Sequence, residues 1–305
     1  MSVRLYPFVL TALLVGPVGC ENSDSLAPLP EDRRWLDVAY ASESPAQRLD
    51  LYLPAEGEGP FPLLIWVHGG GWRGGDKRFG GNSFQLQILS QGFALASLNY
   101  RLSGEATFPA QIHDVKAAVR WLRKNRKDYR LNTERVGVWG GSAGGHLVAL
   151  LGTSGQVASL EGGSLGNEGS SSRVQAVVDW YGPTDLERAF EDLDAQGCPT
   201  AGADGPESTI GLFLGASPQE RPDLAAQASP VTYVTQDDPP FLIQHGDRDC
   251  TVPMAQGHRL HDRVEEVKGS NWVSLDIFEA GHGGAPFRTQ ENFQAIFEFF
   301  SQHVY

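Results

Sequence analysis

Residues 140–144, Gly140-Gly141-Ser142-Ala143-Gly144, follow the pattern G-x-S-x-G. Such a turn lifts a serine hydroxyl to the top of a sheet, and its glycines permit the strained backbone and close packing that the turn requires. The pattern recurs at 162–166, Gly162-Gly163-Ser164-Leu165-Gly166, so context must separate the two. Ser142 follows the strand-like Arg135-Val136-Gly137-Val138-Trp139 and precedes the helix-like His146-Leu147-Val148-Ala149-Leu150-Leu151. Ser164 sits in a loop-like stretch with neither flank, which leaves Ser142 as the candidate nucleophile.

A serine hydroxyl is a poor nucleophile at neutral pH. It needs a histidine to take its proton and a carboxylate to fix that histidine's tautomer. Downstream, the run PFLIQ ends in His245-Gly246-Asp247-Arg248-Asp249-Cys250-Thr251-Val252-Pro253, with two carboxylates at a strand's carboxyl end; on residue type alone either can serve. The next strand-like run, VSLDIF, leads into Glu279-Ala280-Gly281-His282-Gly283-Gly284, which offers His282 as the base. His113 and His146 fall on helical patterns, and His258 and His261 on the helix after the acid loop, where packing or solvent contact is the ordinary role. Charge develops on the substrate oxygen only during attack, so donors must be aimed at it. His68-Gly69-Gly70-Gly71-Trp72 directly follows LLIWV and brings bare backbone amides to a strand's end, and the amide of Ala143 completes such a hole.

Other chemistries lack their residues. The glycines at 69, 71 and 74 fall at G-x-G-x-x-G spacing, but no acidic residue occurs over 84–104 to take a ribose hydroxyl, and Gly74-Gly75-Asp76-Lys77 has Asp76 where a phosphate-binding loop has glycine and lacks its Ser or Thr. No CxxC, HxxxH or HExxH occurs, so no metal cage and no cofactor are expected.

The elements that position these residues read as short apolar runs between turn signals, at 48–53, 62–67, 93–98, 136–139, 176–180, 240–244 and 273–278. Helical patterns lie between several of them. The clearest is at 110–125, where Ile112, Val115, Val119 and Leu122 recur at three- and four-residue steps. This alternation predicts an α/β fold with a mainly parallel sheet covered by helices on both faces, the run at 48–53 forming an antiparallel edge. Ligands then belong at the carboxyl ends of the strands. The stretch 186–227, with Gly, Pro, Asp and Ser clusters and short helical pieces, reads as an insertion over the active face.

With 305 residues, 41% of them hydrophobic, the chain can bury a large core. A net charge of −13 argues against nucleic acid or an anionic membrane surface as partner. Residues 5–19 form an apolar run typical of a secretory signal, too short to span a bilayer comfortably. Val18-Gly19-Cys20 ahead of polar ENSDS resembles a bacterial lipoprotein signal, in which Cys20 would carry lipid and provide the sole membrane attachment. Pro17 departs from that pattern, with free secretion as the alternative. Residues 1–20 are thus expected to be a signal peptide, 21–34 a polar tether and 35–305 the catalytic domain. In an exported chain the two remaining cysteines, Cys198 and Cys250, are expected to pair.

The segments HGGGW, GGSAGGH, HGDRDCTVP and GHGG, in the order Ser, Asp, His, resemble the α/β-hydrolase superfamily of serine esterases over about residues 36–305. Further segments, among them Asn99-Tyr100-Arg101-Leu102-Ser103, Asp179-Trp180-Tyr181-Gly182-Pro183-Thr184-Asp185-Leu186 and Asp238-Pro239-Pro240-Phe241, are similar to the bacterial bifunctional acetylxylan and feruloyl esterase group. The hormone-sensitive-lipase-like esterases share HGGG but place Asp before the serine, where this chain has Gly141. The resemblance implies Ser142 as nucleophile, His282 as base and then acid, and Asp249, ahead of Val252-Pro253, as the orienting carboxylate. Asp247 is left as a hydrogen-bond acceptor within its loop. It also implies the amides of Gly70, Gly71 and Ala143 as oxyanion donors, and Trp72 and Tyr181 as residues lining the acyl or alcohol pocket.

The expected reaction is hydrolysis of carboxylic esters through an acyl-enzyme, with acetyl or feruloyl esters of plant cell-wall polysaccharide such as xylan as substrates. A general short-chain carboxylesterase, an arylformamidase-like amidohydrolase and a non-catalytic binding module on the same fold are the competing readings. A bond between Cys198 and Cys250 would tie the insertion to the acid loop.

Overall fold

The computed structural model describes residues 30–80 and 83–305; the expected signal peptide, Cys20 and most of the expected tether lie outside them. Eight strands form one sheet: β1 (Arg34–Ala39), β2 (Arg48–Tyr52), β3 (Phe61–Val67), β4 (Ala94–Leu98), β5 (Leu131–Gly141), β6 (Ala176–Trp180), β7 (Phe241–Gly246) and β8 (Val273–Phe278). Their order is β1-β2-β4-β3-β5-β6-β7-β8. β1 pairs with β2 and β2 with β4 antiparallel, and every later pairing is parallel. This is the mainly parallel sheet that the alternation of elements predicted, in the α/β-hydrolase architecture that the resemblance implied.

Two boundaries differ from the sequence reading. The run at 48–53 is antiparallel but is not the edge, because β1 covers it. The pattern of β1 alternates exposed and half-buried residues around Asp37, at φ 56°, and so carries no apolar run. Residues 31–34, grouped with the tether on composition, belong to the fold: Glu31–Arg33 is a 3-10 turn and Arg34 pairs with Tyr52.

The helices are α1 (Ala110–Lys124), α2 (Ala143–Thr153), α3 (Ala189–Ala195), α4 (Thr209–Leu214), α5 (Pro222–Ala228), α6 (Ala255–Lys268) and α7 (Gln290–Val304). Strand side chains alternate between two cores. Leu63, Ile65 and Val67 of β3 join α1, α2 and α6 on one face, while Leu64 and Trp66 meet α7 and the 3-10 segment Phe84–Gln91 on the other. Burial on both faces explains why the parallel strands read as unbroken apolar runs. At about 25 cal/mol per Å² of apolar area removed from water, these two layers are the main source of stability. No helix among the described residues is long and apolar enough to cross a membrane.

Candidate active site

At the carboxyl end of β5 the chain turns through Ser142 into α2. Ser142 sits at φ 58°, ψ −123°, a conformation that costs a non-glycine residue energy and marks the turn as strained. The strain is held by Ser142 N donating to Trp180 O at 2.8 Å and His146 N donating to Ser142 O at 2.9 Å. The flanking glycines are required by contact: a Cβ on Gly140 would lie 2.3 Å from Gly144 O, and one on Gly144 would lie 2.1 Å from Val67 O.

The loops after β7 and β8 bring the other two groups to the same rim. Ser142 Oγ lies 2.8 Å from His282 Nε2, and His282 Nδ1 lies 2.7 Å from Asp249 Oδ2. A carboxylate can only accept, so Nδ1 carries the proton and Nε2 is free to accept from the serine hydroxyl. Asp249 is fully buried. Its Oδ1 accepts from the amides of Thr251 and Val252 at 2.8 and 2.9 Å, so the carboxylate is aimed by its own loop. His245, buried beneath, donates from Nε2 to Val252 O at 2.9 Å, and burial holds its pKa below the ordinary imidazole value. Asp247, the competing carboxylate, instead accepts from Ala280 N at 3.0 Å, while the ring nitrogens of His282 meet Asp249 and Ser142. Ser164 lies exposed on a 3-10 turn, away from these groups.

The loop after β3 lies against Ser142: a Cβ on Gly69 would come within 3.1 Å of Ser142 Cβ. Gly70 at φ 111° turns this loop so that Arg73 N and Gly74 N both donate back to Gly70 O. Gly70 and Gly71 from this loop and Ala143 from the start of α2 all border one cavity with Ser142 and His282, about 870 Å³ in volume. Trp66, Trp180 and Tyr181 give it an aromatic wall, and Ala189, Phe190, Leu193, Ala203, Thr209 and Ile210 of the 186–227 segment close it on another side.

Tyr181 is half-buried at φ 43°, its ring edge-on to His282 with centroids 4.8 Å apart and to Phe287 at 4.7 Å. Burial pushes its phenol up to about 12. Trp72 borders the cavity but is 2% exposed. Its ring stacks on Phe213 at 4.2 Å and its indole N–H donates to His146 Nδ1, so it anchors the loop and offers little surface to a ligand.

Cys198 and Cys250 form a disulfide, with Cα atoms 5.3 Å apart. Beside it Gln196 donates to Asp249 O at 2.7 Å and accepts from Met254 N at 2.9 Å. The segment before the acid strand thus grips the acid loop twice. Gln196 carries no sequence motif and was not legible beforehand. Asp179, buried at the end of β6, accepts at Oδ1 from Gly182 N at 2.9 Å, and burial pushes its pKa up to about 7.

The family model BD-FAE matches residues 49–264. Among solved structures, a truncated carbohydrate esterase from gut microbiota is 33% identical with a TM-score of 0.79, covering 90% of this chain and 98% of its own. A bifunctional GH43-CE protein of Bacteroides eggerthii is also 33% identical, with a TM-score of 0.77 over 90% of this chain and 35% of its own. Esterase LipC of Mycobacterium tuberculosis is 33% identical over 250 residues, 81% of this chain and 59% of the relative. The chain spans a little over half the length of the first curated relatives it matches. On the family match over most of its length, the chain belongs to the BD-FAE family of α/β-hydrolase-fold proteins.

Proposed function

We propose that this chain hydrolyses carboxylic esters through an acyl-enzyme on Ser142. Ser142 Oγ attacks the ester carbonyl as its proton passes to His282 Nε2, and Asp249 stabilises the imidazolium that forms. Amides of Gly70, Gly71 and Ala143 donate to the oxyanion. His282 then protonates the departing alcohol, accepts a proton from an incoming water, and returns it to Ser142 as the carboxylic acid leaves. The observation that carries this reading is the hydrogen-bonded chain from Asp249 to His282 to Ser142, at 2.7 and 2.8 Å, bordering an 870 Å³ cavity.

The substrates we propose are acetyl or feruloyl esters on cell-wall polysaccharide, met after export and with Cys20 as a lipid attachment point. A cavity far larger than an acetyl group leaves room for a sugar, and one structural relative is named as a carbohydrate esterase and another as a bifunctional GH43-CE protein. Relative LipC, named simply as an esterase, favours a general short-chain carboxylesterase as the second reading. Rates on acetylated xylan, methyl ferulate and simple nitrophenyl esters separate the two. Covalent labelling by a fluorophosphonate, lost in Ser142→Ala, tests the nucleophile; labelling that persists in the variant refutes it.

A further inference from the structure

Ester hydrolysis does not by itself require the charge pattern of the cavity. Two arginines, Arg73 and Arg288, border it, and no aspartate or glutamate does, in a chain of net charge −13. Asp249, behind His282, is fully buried. Both arginines are exposed, and neither has an ion-pair partner among the described residues. By contrast, Arg101, Arg188, Arg221, Arg259 and Arg263 each meet a carboxylate.

The two are also held in place. Arg73 follows Trp72, and Arg288 follows Phe287, both anchors at most 2% exposed. Arg73 N donates to Gly70 O at 3.0 Å, so it continues the oxyanion loop. Arg288 ends the 3-10 turn that follows His282, near enough to Tyr181 for its charge to oppose the effect of burial on that phenol. The side chain of Gln85 borders the same cavity, largely buried, and its amide has no hydrogen-bond partner among the described residues.

From these observations, we infer that the preferred esters carry a carboxylate away from the scissile bond, received by Arg73 and Arg288. This rests on the esterase reading above. A guanidinium presents paired N–H donors that match a carboxylate's two oxygens, and a half-enclosed site strengthens such a pair over one in open solvent. The carboxylate belongs either to the acyl part, as in a half-ester of a diacid, or to the alcohol part, as in a uronic acid.

Two matched pairs of substrates distinguish the sources. One is 4-nitrophenyl hydrogen adipate against 4-nitrophenyl hexanoate; the other is acetylated methyl glucuronide against acetylated methyl glucoside. At low ionic strength the charged member of one pair is expected to exceed its neutral match in kcat/KM by about tenfold, between what an exposed ion pair and a charged hydrogen bond supply. The ratio shrinks as salt rises and approaches one in the folded double variant R73Q/R288Q. Neutral esters turned over with no charge preference in either pair overturn the inference and leave the esterase reading standing. A preference that survives in the double variant overturns the assignment to these arginines. Failure to hydrolyse any ester sinks the esterase reading. Calorimetric titration with methyl glucuronide against methyl glucoside, and adipamic acid against hexanamide, then decides the inference alone, and equal or absent binding within both pairs refutes it.

Discussion

The indole N–H of Trp72 donates to Nδ1 of His146 across 3.2 Å, while Nε2 of the same imidazole donates to Ala228 O at 2.7 Å. One buried ring thereby joins the glycine loop, helix α2 behind Ser142, and the end of α5. Both partners demand a neutral ring with its proton on Nε2. Trp72→Phe keeps an aromatic ring to stack on Phe213 but leaves His146 Nδ1 without a donor. A loss of about 1–3 kcal/mol in unfolding free energy is expected, read from urea denaturation. A drop in kcat/KM on a nitrophenyl ester should accompany it, since the loop bearing Gly70 and Gly71 loses its tie. An unchanged denaturation midpoint would refute the role given to this bond.

The pH dependence of stability separates two buried groups with opposite signs. Burial lowers His146 from 6.5 to about 4, so its contribution is full above 6.5 and is lost as pH falls toward 4. Burial raises Asp179 from 3.8 to about 7, so its contribution is full below 3.8 and is lost as pH rises toward 7. Each pH unit between folded and unfolded values is worth about 1.4 kcal/mol. Asp179→Asn keeps an oxygen to accept from Gly182 N and removes the second effect. The variant should gain on the parent as pH rises from 4 to 7, measured as the difference in urea midpoints, and a constant difference would show that Asp179 does not titrate as described.

Exchange of the two candidate acids gives an asymmetric result. Asp249→Asn removes the charge that stabilises the imidazolium and lets the wrong tautomer form, for an expected loss of about 10⁴ in kcat. Asp247→Asn alters a hydrogen bond to Ala280 N and should cost less than about tenfold. Steady-state kinetics on one nitrophenyl ester checks both, and comparable losses would contradict the assignment.

The disulfide closes a sequence separation of 52 residues. Replacing Cys198 and Cys250 together by serine should lower unfolding free energy by roughly 2–4 kcal/mol, with the reduced parent protein behaving alike. Because Cys250 adjoins Asp249, kcat should fall as well. Full activity in the serine pair would show that Gln196 and the loop's own amides suffice.

Much of this arrangement was legible in the residues because it is local. Apolar runs such as Leu63-Leu64-Ile65 announce a sheet buried on both faces, and Ser142 and His282 announce themselves through their glycine-flanked turns. Residue type left Asp247 and Asp249 equivalent. What separates them in space is that Asp247 N donates to Phe278 O, committing that residue to the neighbouring strand. The strand β1, with no apolar run, was silent. So were Gln196 and the His146 bonds, since their partners lie 53 to 82 positions away and a hydrogen bond at that range leaves no pattern in the chain.

The grip of Gln196 on Asp249 O and Met254 N bears on redesign. The segment that walls the cavity invites treatment as an exchangeable cassette for altering what the pocket admits. Its first stretch, through Cys198, is scaffolding for the acid, so a graft that spares the reacting side chains but replaces 196–198 would unseat Asp249. Exchange points placed after Cys198 keep that support and still deliver Ala203, Thr209 and Ile210 to the wall.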